Sequence, residues 1–246
     1  MRALEKLKKQ YPRLYAFLKN IDDALQVTYT CRMLKAKLTD SRARYWSEQA
    51  EEQIRGVWES RNSPGSRYLD TALDSIDFSS LLELGSSCGN RLAVLAAARP
   101  DARLVGIDIN RLAVECGNRW LLAEGIKNVT LEWGRIEDLS AYADRSFDVV
   151  FSWAALIYIR PARILEVLKG ALRVSAKAIV LIEMQSETKQ QNRRGVYYRP
   201  GNWKRDYIAL LEEAGADPSR ITCEWVDKGI WNPGGGGGAC LKYLKT

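Results

Sequence analysis

From Ser80 onward, short runs rich in apolar and β-branched residues alternate with longer runs of helical character. The strand-like runs are "SLLEL", "RLVGID", "VTLEW", "FDVVFSW" and "AIVLIEM". Helices are predicted from Asn90, from Arg111, from Pro161 and near 203–214. Successive parallel strands need long crossover connections, which are usually helices. The order therefore predicts an α/β fold with a doubly wound, mostly parallel, seven-stranded sheet covered by helices on both faces.

The last two strand-like runs, "ITCEWVD" and "ACLKYLKT", are joined by "KGIWNPGGGGG". A connection rich in Pro and Gly is typical of an antiparallel hairpin, which we expect at the C-terminal edge of the sheet. The five glycines 234–238 are interpreted as a loose loop. A phosphate cradle is disfavoured because no predicted helix begins after them.

Composition and charge exclude several classes of protein. The longest nearly apolar run is Val149 to Ile159, 11 residues interrupted by Ser152, whereas a membrane-spanning helix needs about 20. No signal peptide is recognised, so a cytoplasmic location is expected. Five scattered cysteines and the absence of histidine disfavour a disulfide framework and a zinc cluster, and no metal is predicted.

The first 44 residues carry the charge asymmetry of the chain. They hold 11 Lys or Arg and 4 Asp or Glu, which accounts for the whole formal charge of +7. Apolar residues recur alternately three and four positions apart, as on one helical stripe: Leu4, Leu7, Tyr11, Leu14, Leu18, Ile21 and Leu25. This predicts a basic amphipathic helical extension over 1–44, broken before Pro12. Its stripe suits packing on its own domain, a homodimer, or peripheral contact with an anionic membrane.

The stretch "ELGSSCGN", Glu83 to Asn90, follows the first predicted strand. In open α/β sheets, ligands bind beyond the carboxyl ends of the strands, where this loop is expected. A dinucleotide loop has a second glycine that lets the backbone approach a pyrophosphate, but Ser87 stands in that position. A phosphate loop also needs a lysine after its last glycine, and Asn90 follows Gly89 instead. The sequence therefore disfavours a pyrophosphate ligand.

Two acids at predicted strand ends indicate another kind of ligand. Glu83 ends an apolar strand, where a carboxylate is costly unless it meets a cation or hydrogen-bond donors. A ligand ammonium would satisfy it. Asp108 ends the second strand, where an acid accepts hydrogen bonds from both ribose hydroxyls. Together they predict a nucleoside that carries an amino acid and no phosphate.

Over residues 78–185 the sequence resembles the class I S-adenosylmethionine-dependent methyltransferases. "LLELGSSCGN", "LVGIDIN", "WGRIEDLS" and "SFDVVFSWAALIYI" are similar to four motifs of that family, in order and at suitable spacing. The resemblance implies S-adenosylmethionine as cofactor and S-adenosylhomocysteine as product. "WKRDY" and the terminal hairpin also resemble little-characterised bacterial methyltransferases that act on small molecules. The predicted methyltransferase domain spans residues 45–246.

The resemblance also implies a set of cofactor-binding residues. The loop would wrap the methionine end, Asp108 would hold the ribose, and Ile109 would flank the adenine. Arg135 stands where an acid is common, so Glu137 or Asp138 would supply the carboxylate and Ile136 an amide. The predicted cofactor set is Glu83, Gly85, Ser86, Ser87, Cys88, Gly89, Asp108, Ile109, Arg135, Ile136, Glu137, Ser152 and Trp153. The structural alternative is that the glycines only permit a turn, while Asp108 and Glu137 or Asp138 cap helices or turns.

Two segments are predicted to cover the site, at residues 45–70 and 186–205, because both mix aromatic residues with arginines. The predicted substrate pocket is formed by Tyr45, Trp46, Arg67, Tyr197, Tyr198, Arg199 and Trp203. Without histidine, the first candidate for a general base is Glu183 and the second is Tyr158. The alternatives are a hydrogen-bonded structural acid for Glu183 and a place in the core for the aromatic residues.

The sequence therefore predicts methyl transfer, most simply O-methylation, to a small molecule or sugar-like acceptor. An RNA methyltransferase is the nearest alternative, since the basic extension suits phosphates. Against base methylation, "SWAA" at 152–155 is unlike the Asn/Asp-Pro-Pro-aromatic motif of many amine-methylating enzymes. A nicotinamide oxidoreductase is disfavoured by the glycine spacing. A non-catalytic scaffold that retains the cofactor pocket is the remaining alternative.

Overall fold

The computed structural model describes residues 41–186, 195–199, 202–227, 229–230 and 237–245. Almost all of the predicted basic extension over 1–44 lies outside these residues, as does most of the glycine-rich connection. The domain boundary between residues 44 and 45 therefore stays a prediction.

A seven-stranded sheet forms the centre of the described chain. Its strands are β1 (Ser80–Leu84), β2 (Arg103–Asp108), β3 (Val129–Trp133), β4 (Phe147–Trp153), β5 (Ser175–Glu183), β8 (Ile221–Val226) and β9 (Gly238–Leu244). The spatial order is β3-β2-β1-β4-β5-β9-β8. The first five strands are parallel, and β9 is antiparallel to both of its neighbours. The predicted doubly wound sheet and its C-terminal hairpin are both confirmed.

Helices cover both faces of the sheet. They are α1 (Ser41–Ser47), α2 (Glu51–Glu59), α3 (Pro64–Leu73), α4 (Asn90–Ala98), α5 (Arg111–Ala123), α6 (Ile164–Val174) and α7 (Tyr207–Ala214). Apolar side chains of α2 to α5 pack on one face, and those of α6 and α7 pack on the other. Strand side chains alternate between the faces, so Leu81 joins the first core and Leu82 the second. The two cores fix the sheet, and the order reverses between β1 and β4, which places a crevice at their carboxyl ends.

Two predicted helix starts are wrong. The helix predicted from Pro161 begins at Ile164. Trp203 lies in a short strand, β7 (Asn202–Lys204), which pairs with β6 (Val196–Arg199) in a separate two-stranded sheet. The following helix begins at Tyr207, because the Asp206 side chain accepts a hydrogen bond from Ala209 N and caps it.

Among the described residues, no helix has the length and apolar character needed to cross a lipid bilayer.

Candidate functional site

The loop between β1 and α4 makes a tight turn over the end of β2. Gly85 and Ser86 both donate their amide hydrogens to Ile107 O, at 2.9 and 3.1 Å. Gly85 has φ +77°, and a Cβ there would lie 2.4 Å from the Cβ of Ala155. Ser87 also has a positive φ, +51°, although it is not a glycine. The glycine at 85 is therefore required by both its backbone angle and the close approach of the segment after β4.

Asp108 ties this loop to the end of β2. Its carboxylate accepts hydrogen bonds from Ser87 N at 2.7 Å and from Asn110 N at 2.8 Å. Burial raises the pKa of Asp108, and these amide donors oppose the shift. The cap of α5 is Asn110 and not Asp108, because Asn110 Oδ1 accepts from Ala113 N at 3.0 Å. Each carboxylate oxygen of Asp108 accepts one of these bonds and retains a further lone pair for a ligand hydroxyl.

Glu83 is a wholly buried acid with no hydrogen-bond partner on either carboxylate oxygen among the described residues. Its nearest cation is Arg91, with Nη1 3.6 Å from Oε1. Burial raises the pKa of Glu83 to about 7, although Arg91 opposes the shift. The Ser86 hydroxyl is also buried without a partner in this part of the structure. A carboxylate in such surroundings is suited to bind a ligand cation that brings its own donors.

Two residues predicted to contact adenine share one open cleft of about 630 Å³, a volume in the range of small-molecule sites. Ile109 and Arg135 line it, together with Trp133, Gly134 and residues of α1 and the position after it, Ala43, Arg44, Ser47 and Glu48. Trp133 Nε1 donates to Ile109 O at 3.1 Å and fixes this wall. Glu137 is paired with Arg135 at 2.9 Å. The side chain of Ile136 is buried in the core, and the adenine contact of its backbone amide stays a prediction.

The last two predicted cofactor residues lie at the end of β4, inside the protein. Ser152 Oγ donates to Glu183 Oε1 at 2.8 Å. Trp153 is buried, and the Arg91 guanidinium lies 4.8 Å from its ring centroid. Cys88 is also buried, and burial raises the pKa of its thiol to about 11. These three side chains support the loop and the strand end from within.

Glu183 ends β5 and is enclosed by donors from the protein. Besides Ser152, its carboxylate accepts from the amides of Ala155, Leu156 and Ile157, at 3.1, 3.0 and 3.2 Å. It is wholly buried, and burial raises its pKa to about 7. Its role as a general base stays a prediction. These contacts favour the structural alternative.

Three aromatic side chains and one arginine form a cluster across the crevice. We call this cluster, Arg42, Tyr45, Trp46 and Tyr158, the aromatic cover. The Trp46 and Tyr158 ring centroids are 5.0 Å apart, and the Arg42 guanidinium lies 5.2 and 5.7 Å from the Tyr45 and Tyr158 rings. Asn110 Nδ2 donates to Trp46 O at 2.9 Å. The segment at 42–46 therefore reaches from the end of β2 to the segment after β4, which supports the predicted cover.

The structure says less about whether the other predicted pocket residues contact a substrate. The side chains of Arg67, Tyr197, Tyr198 and Arg199 lie outside the described part of the structure, while their backbones belong to α3 and β6. Trp203 is 1% exposed, which favours a place in the core over contact with a substrate.

Four residues of the site were missed in the sequence: Arg42, Arg91, Asn110 and Arg205. Asn110 precedes a predicted helix and has a detectable capping signal. Arg42 is one of 11 basic residues in the predicted extension, and nothing in the local sequence distinguishes it from the others. Arg91 and Arg205 act through contacts that no local pattern indicates.

Comparison with known proteins agrees with this geometry. A family described as "Methyltransferase domain" matches residues 81–178. No curated protein matches the chain.

Solved structures share the fold. An S-adenosylmethionine-dependent methyltransferase from Aquifex aeolicus is 15% identical, with a TM-score of 0.58 over 81% of this chain and all of that one. A putative O-methyltransferase from Nostoc punctiforme is 12% identical, with a TM-score of 0.58 over 77% of this chain and 60% of that one. The [4+2]-cyclase SpnF is 17% identical, with a TM-score of 0.57 over 73% and 80%. At these identities the likeness concerns the fold alone.

Proposed function

Because residues 81–178 form a methyltransferase domain of the class I, S-adenosylmethionine-dependent type, we propose that the protein transfers the methyl group of S-adenosylmethionine to a small, oxygen-bearing acceptor. The observation that carries this proposal is the buried carboxylate of Glu83, which has no hydrogen-bond partner among the described residues. The ammonium of the cofactor's methionine end supplies both the charge and the donors that this carboxylate needs.

The residues of the site fit the cofactor. Glu83 would bind the ammonium, the loop at 85–89 would enclose the methionine end, and Asp108 would accept hydrogen bonds from the ribose. Ile109 and Arg135 would border the adenine, since they line one cleft and Ile109 directly follows Asp108 in the sequence. When bound, S-adenosylmethionine supplies a methyl group already activated by a sulfonium.

The protein's own contribution is orientation. A nucleophile held about 3–3.5 Å from the reacting carbon gains most of the available rate from positioning. Burial raises the pKa of Tyr158 to about 12, so its hydroxyl is protonated at neutral pH. Glu183 is enclosed by four protein donors. We therefore propose that neither sequence-predicted base is required, and that the aromatic cover excludes water and holds the acceptor.

The aromatic cover also indicates the chemistry of the acceptor. Trp46 and Tyr158 offer ring faces, and Trp46 Nε1 is a buried donor without a partner among the described residues. A sugar or other ring that carries oxygen atoms would stack on the rings and accept that hydrogen bond. These features support a ring-shaped acceptor that carries oxygen atoms, as O-methylation requires.

The test uses the full chain. Calorimetry should show micromolar binding of S-adenosylmethionine and S-adenosylhomocysteine and no binding of NAD. A library of sugars and hydroxylated rings, followed by S-adenosylhomocysteine release, then identifies the acceptor. Binding of NAD instead would contradict the cofactor, and methyl incorporation only into RNA would contradict the acceptor class. Cofactor binding without release over the whole library and RNA would favour a scaffold.

Asp108→Asn is expected to weaken S-adenosylhomocysteine binding about 10- to 100-fold, since one charge-assisted hydrogen bond contributes about 1.5–3 kcal/mol. The asparagine also replaces one of the two acceptors that anchor Ser87 and Asn110. The matched control is Asp148→Asn at the other end of the sheet, where the acid likewise accepts from a backbone amide, Ser79 N, at 2.7 Å. Calorimetry should show unchanged affinity for the control. Equal losses in both variants would contradict the ribose assignment.

Cofactor affinity is expected to fall as the pH is lowered below about 7. The pKa of Glu83 is about 7, so the carboxylate becomes protonated below that pH, whereas a ligand ammonium pairs with its ionised form. Arg91 and Asp108 are the charged groups that face it. Affinity should then drop about tenfold per pH unit. Calorimetry between pH 5.5 and 8 measures this slope, and a flat profile would show that Glu83 does not bind the amine.

A further inference from the structure

The segment after β4, residues 154–159, makes a strained turn. Ala154 has φ +55°, a left-handed conformation that is strained for a non-glycine residue. Its amide donates to Ile182 O on β5 at 2.9 Å. A short 3-10 helix, Leu156–Tyr158, follows directly. Such a turn persists only where surrounding groups fix it.

Glu183 fixes the start of the turn. Its carboxylate accepts hydrogen bonds from three consecutive backbone amides, those of residues 155–157, and from the Ser152 hydroxyl. The three amides point to one place only while the turn keeps this conformation. The carboxylate therefore selects the turn over more extended alternatives.

Arg205 fixes the end of the turn. It is wholly buried, and its guanidinium donates to Leu156 O at 2.7 Å and to Ile159 O. Its backbone is held to the end of β5, because Arg205 N donates to Met184 O and Ser186 N donates to Arg205 O. Glu183 and Arg205 also attract each other electrostatically. The amides of the turn thus meet a buried anion, and its carbonyls meet a buried cation.

The position of this turn determines two contacts of the site. The Cβ of Ala155 occupies the space that a side chain on Gly85 would need. The turn therefore packs directly against the cofactor loop at Gly85. Tyr158 packs on Trp46 in the aromatic cover. A shift of the turn would therefore move a support of the cofactor loop and a wall of the acceptor site together.

We propose that Glu183 and Arg205 are positioning residues that act as one unit, holding the turn at 154–159 so that Ala155 supports the cofactor loop and Tyr158 faces the acceptor. This inference rests on the proposed function. It assigns to Glu183 a task other than proton abstraction and gives Arg205, which local sequence patterns do not single out, a place in the site.

The test measures S-adenosylhomocysteine affinity in Glu183→Gln, Arg205→Lys and the double variant. The glutamine replaces one acceptor oxygen by a donor, and the lysine loses the planar fork that reaches two carbonyls. Each single change should weaken binding about tenfold. The double variant should be weakened about as much as either single variant, since residues that act as a unit are not additive. The matched control is the exposed Glu166→Gln on α6, which should bind like wild type.

The affinity of the folded protein separates positioning from general destabilisation, which lowers the melting temperature without changing that affinity. Ser152→Ala removes only one donor to Glu183 and should weaken binding about two- to threefold, so the inference stays testable if Glu183→Gln fails to fold. Unchanged affinity in folded Glu183→Gln, or in Ser152→Ala, would overturn it. Unchanged affinity with abolished methyl transfer would make Glu183 the base. A wild-type chain that does not bind S-adenosylhomocysteine would overturn the proposed function as well.

Discussion

Replacing Glu83 with glutamine is expected to weaken S-adenosylhomocysteine binding about 100-fold while leaving the unliganded protein folded. Removing one partner of a buried charge pair costs roughly 2–5 kcal/mol of affinity, because the other charge is left unpaired. In the proposed complex that other charge is the ligand ammonium. Without ligand, Glu83 has no hydrogen-bond partner within the described residues, and its nearest cation lies 3.6 Å away. In the free protein the substitution removes a buried, unsatisfied carboxylate. In the complex it removes the attraction between that carboxylate and the ligand ammonium.

The free protein offers a second readout of the same change. The pKa of Glu83 is raised from its ordinary 4.5 to about 7, so the folded state binds this proton more tightly than the unfolded state. The contribution of the protonated Glu83 carboxyl to the free energy of unfolding is fully present below about pH 4.5. It is lost as the pH rises through about 7 and the group ionises. Glu183 follows the same sign, since its pKa is also raised to about 7. Urea unfolding between pH 5 and 8 should therefore show a smaller pH dependence for Glu83→Gln, with part of it remaining.

The matched control is Glu132→Gln, another acid near the end of a strand. Glu132 is exposed on β3 and already accepts a hydrogen bond from the Tyr142 hydroxyl at 2.6 Å. Its replacement should leave cofactor affinity within about twofold of wild type. A Glu83→Gln variant that binds S-adenosylhomocysteine within about threefold of wild type would contradict the amine assignment.

The sequence was informative where chemistry and periodicity are local. The five parallel strands followed from apolar runs, and the acids at positions 83 and 108 stood out because they end such runs. It was less informative for Trp203, because an aromatic residue next to a helical pattern gives no sign of a two-stranded pairing. The capping aspartate at 206, three residues later, was the better boundary signal.

The unpredicted part of the site depends on contacts between distant residues. Arg205 meets carbonyls 46 and 49 positions earlier in the chain, and no periodicity encodes such a contact. Asn110 similarly reaches back 64 positions to Trp46. The position of Glu183 at the end of a predicted strand identified it as a candidate site residue. Only the donors around its carboxylate show that it is an enclosed hydrogen-bond acceptor and not an accessible base. Sequence patterns located the ligand site, and tertiary contacts define how its parts are held.

Gly85→Ala is expected to destabilise the protein by about 2–5 kcal/mol and to abolish measurable cofactor binding. A left-handed backbone costs alanine roughly 1–2 kcal/mol, and forced overpacking adds roughly 1–3 kcal/mol. The overpacking is specific, because the new methyl carbon would lie 2.4 Å from the Cβ of Ala155, whose backbone is held by Glu183. Neither the loop nor the turn can move without losing its own hydrogen bonds. Urea unfolding and calorimetry measure the two effects.

The chain offers a close control in Gly125, which has φ +72° against +77° for Gly85, and a methyl group added there would meet no other described residue within 4 Å. Gly125→Ala should therefore cost only the backbone strain, about 1–2 kcal/mol, and leave cofactor affinity unchanged. The double variant Gly85→Ala/Ala155→Gly removes the close contact but keeps the strain, so its stability should recover toward that of Gly125→Ala. Equal losses for the two single alanine variants would mean that Gly85 serves only as a flexible turn residue. Recovery in the double variant would instead establish that the cofactor loop and the turn after β4 are fitted to each other at this contact.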